Sequence, residues 1–368
     1  MKILFVLDNY FPYIGGAETL FKKLAEESAK KGNEVKVICP RSISTSAKYE
    51  ILNEVSIIRL DIDNRYLYTF LSLPTIIKEA KWADVVHTTT YNSAPAAWIA
   101  SKLSGKKVII TVHEILGKLW WKKMDYLSGS FHWIFEKTIL KLHFDKFISV
   151  SIYTKKCLLE NKIPEEQISV IYHGIDHKLF NPKIADGSEI RQSLQLKNNF
   201  VYLFYGRPGI TKGLEYLIQA VPRIKEKVPD SKLLLLLGKK PENRYKYICN
   251  LIGKLGLDND IIMHDSVSIQ ELPNYISVAD CVVIPSLSEG FGFCAAESCA
   301  LKKPVIVSKA GSLPEVVSGK VVWVEPADEK SLAEGIISFH QGKFAEIPER
   351  KFFWEDAINK YVEIYSKI

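Results

Sequence analysis

Two successive series of alternating strand and helix patterns limit the folds open to this chain. Short, continuous apolar runs such as KILFVLDN (2–9), EVKVICP (34–40) and KVIITVHE (107–114) alternate with amphipathic stretches of helical period. Uninterrupted apolar runs of this length predict strands that are buried on both faces. The order strand, helix, strand, helix therefore predicts a parallel sheet that is covered by helices on both sides.

The alternation stops and then starts again, which predicts two domains. A polar, weakly patterned stretch at 176–199 precedes a second series that opens with FVYLFYG (200–206) and continues through CVVIPS (281–286). The length of 368 residues suits two domains of about 150–200 residues each. We therefore predict an α/β fold with two doubly wound, Rossmann-like domains at 1–178 and 199–347.

The strand ends of these domains are where a ligand is expected. Ligands of doubly wound sheets bind outside the carboxyl ends of the strands. We expect the two domains to face each other, so that their strand ends border one central cleft. The last segment, 348–368, contains a helix with an aromatic face formed by Phe353, Trp354, Tyr361 and Tyr365. We expect this helix to cross back to the first domain.

The charge of the chain is modest and uneven. The formal net charge is +7, which is too small for a dedicated nucleic-acid-binding protein, so we expect no nucleic-acid partner. Residues 1–178 hold 25 Lys and Arg against 19 Asp and Glu, a net +6, whereas 179–368 hold 24 against 23. The N-terminal half is therefore the part expected to meet an anionic surface or substrate.

The cysteines and the apolar runs bear on the compartment. The six cysteines are scattered and form no CxxC pair, which favours free thiols in a reducing compartment. The first apolar run is too short for a signal peptide, and no run approaches the roughly 20 residues that span a bilayer. We expect a cytoplasmic protein, either free or on the cytoplasmic face of the membrane.

The segment SEGFGFCAAES (288–298) is the strongest candidate for a binding site. It follows a strand run and leads into a helix, whose N-terminus attracts anions. Gly290 and Gly292 let the backbone approach a ligand with its N–H groups exposed. Glu289 and Glu297 can accept hydrogen bonds from sugar hydroxyls. A capped helix with a solvated glutamate would need neither the two glycines nor the two phenylalanines at this turn.

A second glycine-punctuated loop, YGRPGITKG (205–213), also follows a strand run. Arg207 offers a planar fork of donors and Lys212 a point charge, a combination that suits a diphosphate. The loop is not a P-loop, because GxxxxGK[ST] is absent. The alternative is a solvated basic loop.

Two weaker candidates lie in the first half of the chain. IGGAE (14–18) places Gly15 and Gly16 at a helix start, where backbone donors favour an anion, although a plain tight turn explains the glycines equally well. The absence of GxGxxG disfavours a dinucleotide-dependent oxidoreductase. His113 ends a strand run and can donate to a ligand hydroxyl or carbonyl, but a lone histidine is more often structural.

We expect no metal site. DID (61–63) and DND (258–260) mimic the Asp-x-Asp sequence that holds a metal-bound diphosphate. The first follows a strand, and the second forms a turn at a helix end. A metal would also be redundant if Arg207 and Lys212 hold the phosphates.

The stretch 115–147 combines tryptophan with lysine. It holds three of the seven tryptophans, Trp120, Trp121 and Trp133, with lysines on either side of them. Indole rings at headgroup level and ammonium groups near lipid phosphate suit a membrane interface. The alternative is a helix pair that packs its aromatic rings into the domain core.

These motifs resemble those of the retaining glycosyltransferases with the GT-B fold, in the family 4 (group 1) set. Glu289 and Glu297 around GFG are similar to the E-x7-E motif of that family, and Arg207 and Lys212 resemble its GR…KG loop. GGAE, the strand-end histidine and HGID (173–176) fall in the matching order. The resemblance spans residue 2 to about residue 365.

The resemblance implies a role for each matching residue. Arg207 and Lys212 would hold the donor diphosphate, and Glu297 would accept hydrogen bonds from the ribose hydroxyls. His113 and Glu289 would contact the transferred sugar as catalytic residues. The remaining donor-binding positions would approach through their backbone: Gly15, Gly16, Gly290, Phe291 and Gly292.

The activity implied by the resemblance is sugar transfer from a nucleoside-diphosphate sugar, with retention of the anomeric configuration and without a cofactor or metal. The expected acceptor is a glycan or a lipid-linked, membrane-proximal molecule. Two alternatives keep the fold, namely a nucleotide-sugar epimerase and a non-catalytic sugar-nucleotide-binding protein. The chain departs from the family pattern at Pro208, where an aliphatic residue is usual, at His173, where Asn is common, and at Glu114, where Asp is frequent.

Overall fold

The structure is a computed structural model that describes residues 1–13, 15–41, 47–62 and 64–368. It divides into two compact units, and each is built around one mainly parallel sheet. Unit 1 consists of Met1–Gly174 together with Trp354–Ile368, and unit 2 consists of Ile175–Phe353.

The described part of unit 1 contains a sheet of eight strands. These are β1 (Lys2–Val6), β2 (Glu34–Pro40), β3 (Tyr49–Leu52), β4 (Val55–Leu60), β5 (Val85–Thr89), β6 (Lys107–Val112), β7 (Lys146–Ser149) and β8 (Ile168–Val170). Their order in the sheet is β3-β4-β2-β1-β5-β6-β7-β8. All neighbouring strands are parallel except β3 and β4.

Helices cover both faces of this sheet. They are α1 (Gly16–Lys30), α2 (Arg65–Leu71), α3 (Leu73–Trp82), α4 (Ser93–Ser104), α5 (Leu119–Lys123), α6 (Tyr126–Leu140) and α7 (Ile152–Glu160). Successive residues of a strand point to opposite faces. Accordingly, Ile3 and Phe5 join a core with α1, while Leu4 and Val6 join a second core with α3 and α4.

Unit 2 repeats the design with a sheet of seven strands. These are β9 (Phe200–Gly206), β10 (Ser231–Leu237), β11 (Ile261–Asp265), β12 (Cys281–Ile284), β13 (Val305–Ser308), β14 (Gly319–Val324) and β15 (Ala345–Ile347). Their order is β11-β10-β9-β12-β13-β14-β15, and only β15 is antiparallel to its neighbour. The helices are α8 (Ser188–Ser193), α9 (Leu214–Lys227), α10 (Glu242–Lys254), α11 (Leu272–Val278), α12 (Phe293–Ala300), α13 (Leu313–Val316) and α14 (Glu329–His340).

The C-terminal helix, α15 (Trp354–Lys367), packs in unit 1, as the sequence predicted. Tyr361 and Tyr365 are buried in the same core as α1. The hydroxyl of Tyr365 also lies 2.5 Å from Nδ1 of the fully buried His87. Phe353, which was expected on the same face, is instead exposed and belongs to unit 2.

Each sheet has a point where the strand order reverses direction. In unit 1 this point lies between β1 and β5, and in unit 2 it lies between β9 and β12. Loops that leave the carboxyl ends of two such strands turn to opposite faces and open a crevice between them. The predicted site residues of unit 2 follow β9 and β12, so the topology places them at its crevice.

Candidate active site

Lys212 and Glu289 meet at the carboxyl ends of β9 and β12. A short 3-10 turn, Ile210–Lys212, follows β9, and Glu289 lies in the loop between β12 and α12. Nζ of Lys212 donates to Oε1 of Glu289 at 2.6 Å, and the hydroxyl of Ser286 donates to the same oxygen at 2.8 Å. Glu289 is buried and its Oε1 is held by these two hydrogen bonds, whereas the side chain of Lys212 is 32% exposed.

Two glycines allow the loops around this pair to pack closely. Gly213 has φ +65°, and a Cβ at this position would lie 2.1 Å from the carbonyl oxygen of Pro285. Gly311 has φ +57°, and a Cβ there would lie 2.3 Å from the carbonyl oxygen of Glu289. Neither position accepts a side chain without movement of the backbone. Glycine is therefore required where the site loops touch.

The loop that carries Arg207 is tied down at several points. The backbone N–H of Leu287 donates to the carbonyl of Thr211 at 2.7 Å. Nε of Arg244 donates to the carbonyl of Pro208 at 3.3 Å. The side chain of Arg207 is exposed on this anchored loop. The structure thus holds a guanidinium and an ammonium on one short loop, a combination that suits a diphosphate.

Glu297 occupies a different environment from Glu289. It lies on α12, whereas Glu289 precedes the helix, so the two carboxylates do not share a helix face. The hydroxyl of Tyr205 donates to Oε2 of Glu297 at 3.0 Å. Burial raises the pKa of Glu297 to about 7, and the hydrogen bond from Tyr205 opposes part of this rise. Near neutral pH, Glu297 can therefore accept a hydrogen bond from a polar ligand or, when protonated, donate one.

Gly290, Phe291 and Gly292 form the turn into α12. The ring of Phe291 is buried and lies edge-on to Phe293 and Phe352, with ring centroids 5.3 and 5.2 Å apart. This ring anchors the turn in the protein. Gly292 is the N-cap of α12 and supplies no side-chain cap, so only backbone groups of this turn are candidates for ligand contact.

In unit 1, His113 follows the last residue of β6 and stacks on His173. Their ring centroids are 5.5 Å apart, with planes inclined by 23°. Nε2 of His113 is buried and has no hydrogen-bond partner among the residues that the structure describes. Burial lowers the pKa of His113 to about 4 and that of His173 well below its ordinary value. Both rings are therefore neutral at pH 7.

Gly15 and Gly16 lie at the start of α1. Gly15 is the N-cap and Gly16 the first helical residue. The backbone N–H of Thr19 donates to the carbonyl of Gly15 at 2.9 Å. Ile14, the first residue of the IGGAE motif, lies outside the described residues.

Asp8 is a carboxylate at the strand ends of unit 1 that the sequence motifs do not single out. It follows β1, and its carboxylate accepts hydrogen bonds from the backbone N–H groups of Tyr91, Asn92 and Ser93 at 3.3, 3.1 and 2.5 Å. These groups precede and begin α4, so Asp8 caps that helix from a neighbouring strand. The available signal was a carboxylate directly after the first buried strand.

The acidic pairs that mimic a metal motif have other partners. Asp61 lies 2.5 Å from both Arg41 and Lys48, and Asp63 lies outside the described residues. Asp260 pairs with Lys225 at 3.0 Å. Within the described ranges, no group of three or more His, Cys, Asp or Glu side chains is placed to hold a metal ion.

The tryptophans of the 115–147 stretch are partly internal. Trp120 is buried and its indole N–H donates to Glu136 at 3.1 Å. The ring of Trp121 lies 5.5 Å from that of Trp133, and its N–H donates to Ser130. Because Trp120 is buried, it cannot contact a membrane, and its assignment to the predicted membrane interface is wrong. None of the helices in the described part of the chain is long and apolar enough to cross a bilayer.

A cavity in unit 2 borders the amino ends of β12, β13 and β14, away from the strand ends described above. Two of its basic lining side chains are already bonded to carbonyl groups of the protein. Nζ of Lys303 donates to the carbonyls of Ser277 and Ala279 at 2.8 Å, and Arg191 donates to the carbonyl of Val278 at 2.6 Å. Through these contacts, Lys303 and Arg191 stabilise the fold around the cavity.

Two models of known protein families match the chain, one in each unit. The family model described as glycosyl transferases group 1 matches residues 186–354, and the model described as glycosyltransferase family 4 matches residues 14–179. The chain belongs to the group 1 glycosyltransferases. This membership confirms the family predicted from Glu289, Glu297, Arg207 and Lys212.

The relatives of this glycosyltransferase described below cover three quarters or more of its length. An uncharacterised glycosyltransferase of Methanocaldococcus jannaschii is 28% identical over 91% of this chain and 88% of its own. A D-inositol 3-phosphate glycosyltransferase of Xylanimonas cellulosilytica is 24% identical over 78% of this chain and 72% of its own. Among solved structures, Anabaena HepE in complex with UDP-glucose is 22% identical, covers 100% of both chains and has a TM-score of 0.82. This likeness confirms the predicted GT-B fold.

Proposed function

We propose that this glycosyltransferase moves a hexose from a nucleoside-diphosphate sugar to an acceptor hydroxyl, with retention of the anomeric configuration. The observation that carries the proposal is the 2.6 Å contact between Lys212 and Glu289 at the crevice of unit 2. It places a cation suited to a leaving diphosphate directly beside a carboxylate suited to sugar hydroxyls. A related structure supports the donor class, since Anabaena HepE forms a complex with UDP-glucose.

The donor diphosphate is assigned to the loop after β9. Arg207 offers paired N–H donors and Lys212 a compact charge, and the loop is held by its hydrogen bonds to Leu287 and Arg244. A preorganised cation costs little reorganisation when negative charge develops on the leaving group. Glu297 is assigned to the ribose hydroxyls, and Glu289 to hydroxyls of the transferred sugar.

The proposed chemistry is a front-face displacement. The bond between the anomeric carbon and the phosphate oxygen breaks, the acceptor oxygen forms a bond on the same face, and the departing phosphate takes the acceptor proton. Asp8, one of the carboxylates at the strand ends of unit 1, is committed to three backbone N–H groups, which disfavours it as a nucleophile. Detection of a trapped glycosyl-enzyme would contradict the front-face route.

His113 is assigned to the transferred sugar near the reacting centre. Its imidazole is neutral at pH 7 because burial lowers its pKa to about 4. A neutral ring can give one hydrogen bond to a hydroxyl or carbonyl oxygen without taking a proton from the acceptor. This role agrees with a reaction in which the leaving phosphate is the base.

We further propose that no metal takes part. Two basic side chains on one loop supply the charge that a divalent cation would otherwise bring to the diphosphate. Asp61 and Asp260, one member of each acidic pair, are held by Arg41 and Lys225 respectively. Activity should therefore persist in EDTA.

A product assay separates the three functions that the fold supports. The protein is incubated with UDP-, GDP- and ADP-hexoses, with and without a mixture of membrane lipids and glycans, and products are followed by NMR. Transfer with release of the nucleoside diphosphate and an anomeric configuration equal to that of the donor supports the proposal. Isomerisation of the donor without an acceptor indicates an epimerase, and binding without turnover indicates a non-catalytic protein.

The acceptor is proposed to be lipid-linked, because unit 1 exposes an apolar patch beside lysines. The patch comprises residues of α2 and α6, namely Tyr66, Leu67, Phe70, Leu71, Tyr126, Leu127, Phe131 and Ile134. The rings of Tyr66 and Phe131 lie 6.0 Å apart, which joins the two helices into one surface. Lys118 and Lys122 are exposed nearby in sequence, and an anionic lipid surface fits both the charge and the apolar groups.

Vesicle sedimentation tests this surface. We expect the protein to bind vesicles that contain phosphatidylglycerol, and binding to fall about 10-fold or more when Leu127 and Phe131, which are 80% and 54% exposed, are changed to Ser. Ile51→Ser is the control, because Ile51 is 69% exposed on β3 outside the patch. Equal vesicle binding by all three proteins would contradict a lipid surface at this patch.

A further inference from the structure

Glu136 is a buried carboxylate on α6 with four hydrogen-bond donors around it. It is 1% exposed. The backbone N–H groups of Leu116 and Gly117 each donate to it at 2.9 Å. The indole N–H of Trp120 donates at 3.1 Å and the hydroxyl of Tyr91 at 3.0 Å. All four donors are neutral, so the carboxylate charge strengthens every one of these bonds.

The donors belong to segments that follow two neighbouring strands. Leu116 and Gly117 lie three and four residues after His113, in the segment that continues β6, and Trp120 is the second residue of α5. Tyr91 follows β5. Its hydroxyl also lies 3.0 Å from the carbonyl oxygen of Glu114, the residue next to His113. Glu136 thus fixes the position of the backbone just after His113, the candidate catalytic histidine.

A second carboxylate extends the network to the next strand. Asp8 follows β1 and accepts a hydrogen bond from the backbone N–H of Tyr91 at 3.3 Å, while the hydroxyl of Tyr91 donates to Glu136. The strands β1, β5 and β6 are neighbours in the sheet. Two carboxylates bridged by one tyrosine therefore tie together the carboxyl ends of three adjacent strands, at the point where the strand order reverses.

We propose that Glu136 is a positioning residue for sugar transfer: it holds the segment after β6 so that His113 is presented in a fixed place. The proposal rests on the proposed function of His113. In metal sites, removing the hydrogen-bonded partners that orient a ligand costs about 10- to 100-fold in activity, and we expect an effect of similar size at His113. A displacement of about 1 Å at a reacting group has an effect of similar size.

The test compares Glu136→Gln with Glu26→Gln in the full-length protein. Glu26 is a buried carboxylate of unit 1 that pairs with Lys22 and bonds to Asn53, away from the strand ends. Gln at 136 keeps the size of the side chain, but its amide NH₂ group is a donor and cannot accept the hydrogen bonds that one carboxylate oxygen of Glu136 accepts. We expect kcat to fall about 10- to 100-fold in Glu136→Gln, while the Kd for the nucleoside diphosphate stays within about twofold. Glu26→Gln should keep the wild-type kcat.

Tyr91→Phe provides a milder second variant, because it removes one donor and keeps the ring. If Glu136→Gln does not fold, a lower kcat in folded Tyr91→Phe with unchanged nucleotide affinity supports the proposal. A kcat within about threefold of wild type in the folded Glu136→Gln variant, or in Tyr91→Phe where the first does not fold, overturns it. Failure of the wild-type protein to transfer any sugar would instead contradict the proposed function, so the two failures are distinguishable.

Discussion

Nζ of Lys212 lies 2.6 Å from Oε1 of Glu289, so the cation assigned to the donor diphosphate is paired with the carboxylate assigned to the transferred sugar. The residues are 77 positions apart in the chain and come from loops after two neighbouring strands. The negative charge of Glu289 orients the ammonium group but also weakens its attraction for an anion. Diphosphate binding and sugar recognition are therefore electrostatically coupled.

The first prediction concerns Glu289→Gln, which removes the charge and keeps a hydrogen-bonding side chain. We expect kcat to fall about 100-fold, since the sugar loses a charged acceptor in the transition state. The affinity for the nucleoside diphosphate alone should stay equal or become tighter, because Lys212 is no longer neutralised. Steady-state kinetics and calorimetry give the two values. Loss of nucleotide affinity with an unchanged kcat would show that the roles are assigned the wrong way round.

The second prediction concerns Gly311→Ala. Because a Cβ at 311 would lie 2.3 Å from the carbonyl oxygen of Glu289, the Glu289 loop has to move. We expect the free energy of unfolding to drop by about 2–4 kcal/mol, from the clash and the left-handed backbone together. Gly256→Ala is the matched control, since Gly256 has φ +66° and nothing within 4 Å of a Cβ.

Urea unfolding measures both glycine variants. Gly256→Ala should cost only about 1 kcal/mol and keep full activity. Gly311→Ala should also lower kcat, because Glu289 moves with its loop. Equal losses of stability in the two variants would mean that the contact with Glu289 is not tight.

The third prediction concerns the pH dependence of stability in Glu297→Gln. Burial raises the pKa of folded Glu297 to about 7, whereas an unfolded Glu titrates near about 4.3. The folded protein therefore keeps a proton that the unfolded chain loses, and stability falls as pH rises through this window. Gln avoids this loss because it never ionises.

Thermal unfolding between pH 4 and pH 8 measures the effect. Relative to wild type, Glu297→Gln should gain stability as pH rises, reaching on the order of 2 kcal/mol above pH 7. The affinity for the nucleoside diphosphate should fall, since the ribose loses a carboxylate acceptor. A stability difference that does not change with pH would contradict a raised pKa at Glu297.

The fourth prediction concerns His113→Phe, which preserves an aromatic ring against His173 and removes the nitrogen atoms. We expect kcat to fall by roughly 100-fold with little change in nucleoside diphosphate affinity. Because burial lowers the pKa of His113 to about 4, the wild-type kcat should show no titration of this residue between pH 6 and pH 8. A wild-type acid limb near pH 6.5 that disappears in His113→Phe would show a histidine that titrates during catalysis.

Much of the fold follows from burial that the sequence displays. β2 and β9 have the predicted bounds because each is a continuous apolar run of a strand with neighbours on both sides. β3 and β15 were not predicted. Both are short edge strands with exposed residues, such as Ile51 on β3, and they lack the apolar continuity that marks the interior strands.

The site was predictable only where residues form a motif. The sequence pointed to Lys212 and Glu289 separately. Their pairing depends on β9 and β12 being neighbours, and local sequence patterns do not reveal the order of strands in a sheet. Asp8 binds mainly to backbone N–H groups, and two of the four donors to Glu136 are backbone N–H groups, which the identity of a residue does not reveal. The composition of the 115–147 stretch likewise could not show that Trp120 is turned inward.

The measurement that tests the central claim most directly is calorimetric titration of UDP, GDP and ADP in EDTA. The wild-type protein is compared with Arg207→Ala and Lys212→Ala, and with Lys246→Ala as a control for loss of a lysine whose side chain is 70% exposed on α10. We predict that one nucleotide binds with a Kd of about 1–100 μM, and that both loop variants weaken it about 10-fold or more while the control does not. If none of the nucleotides binds, or if binding requires a divalent metal, the assignment of Arg207 and Lys212 to a metal-free diphosphate site is wrong.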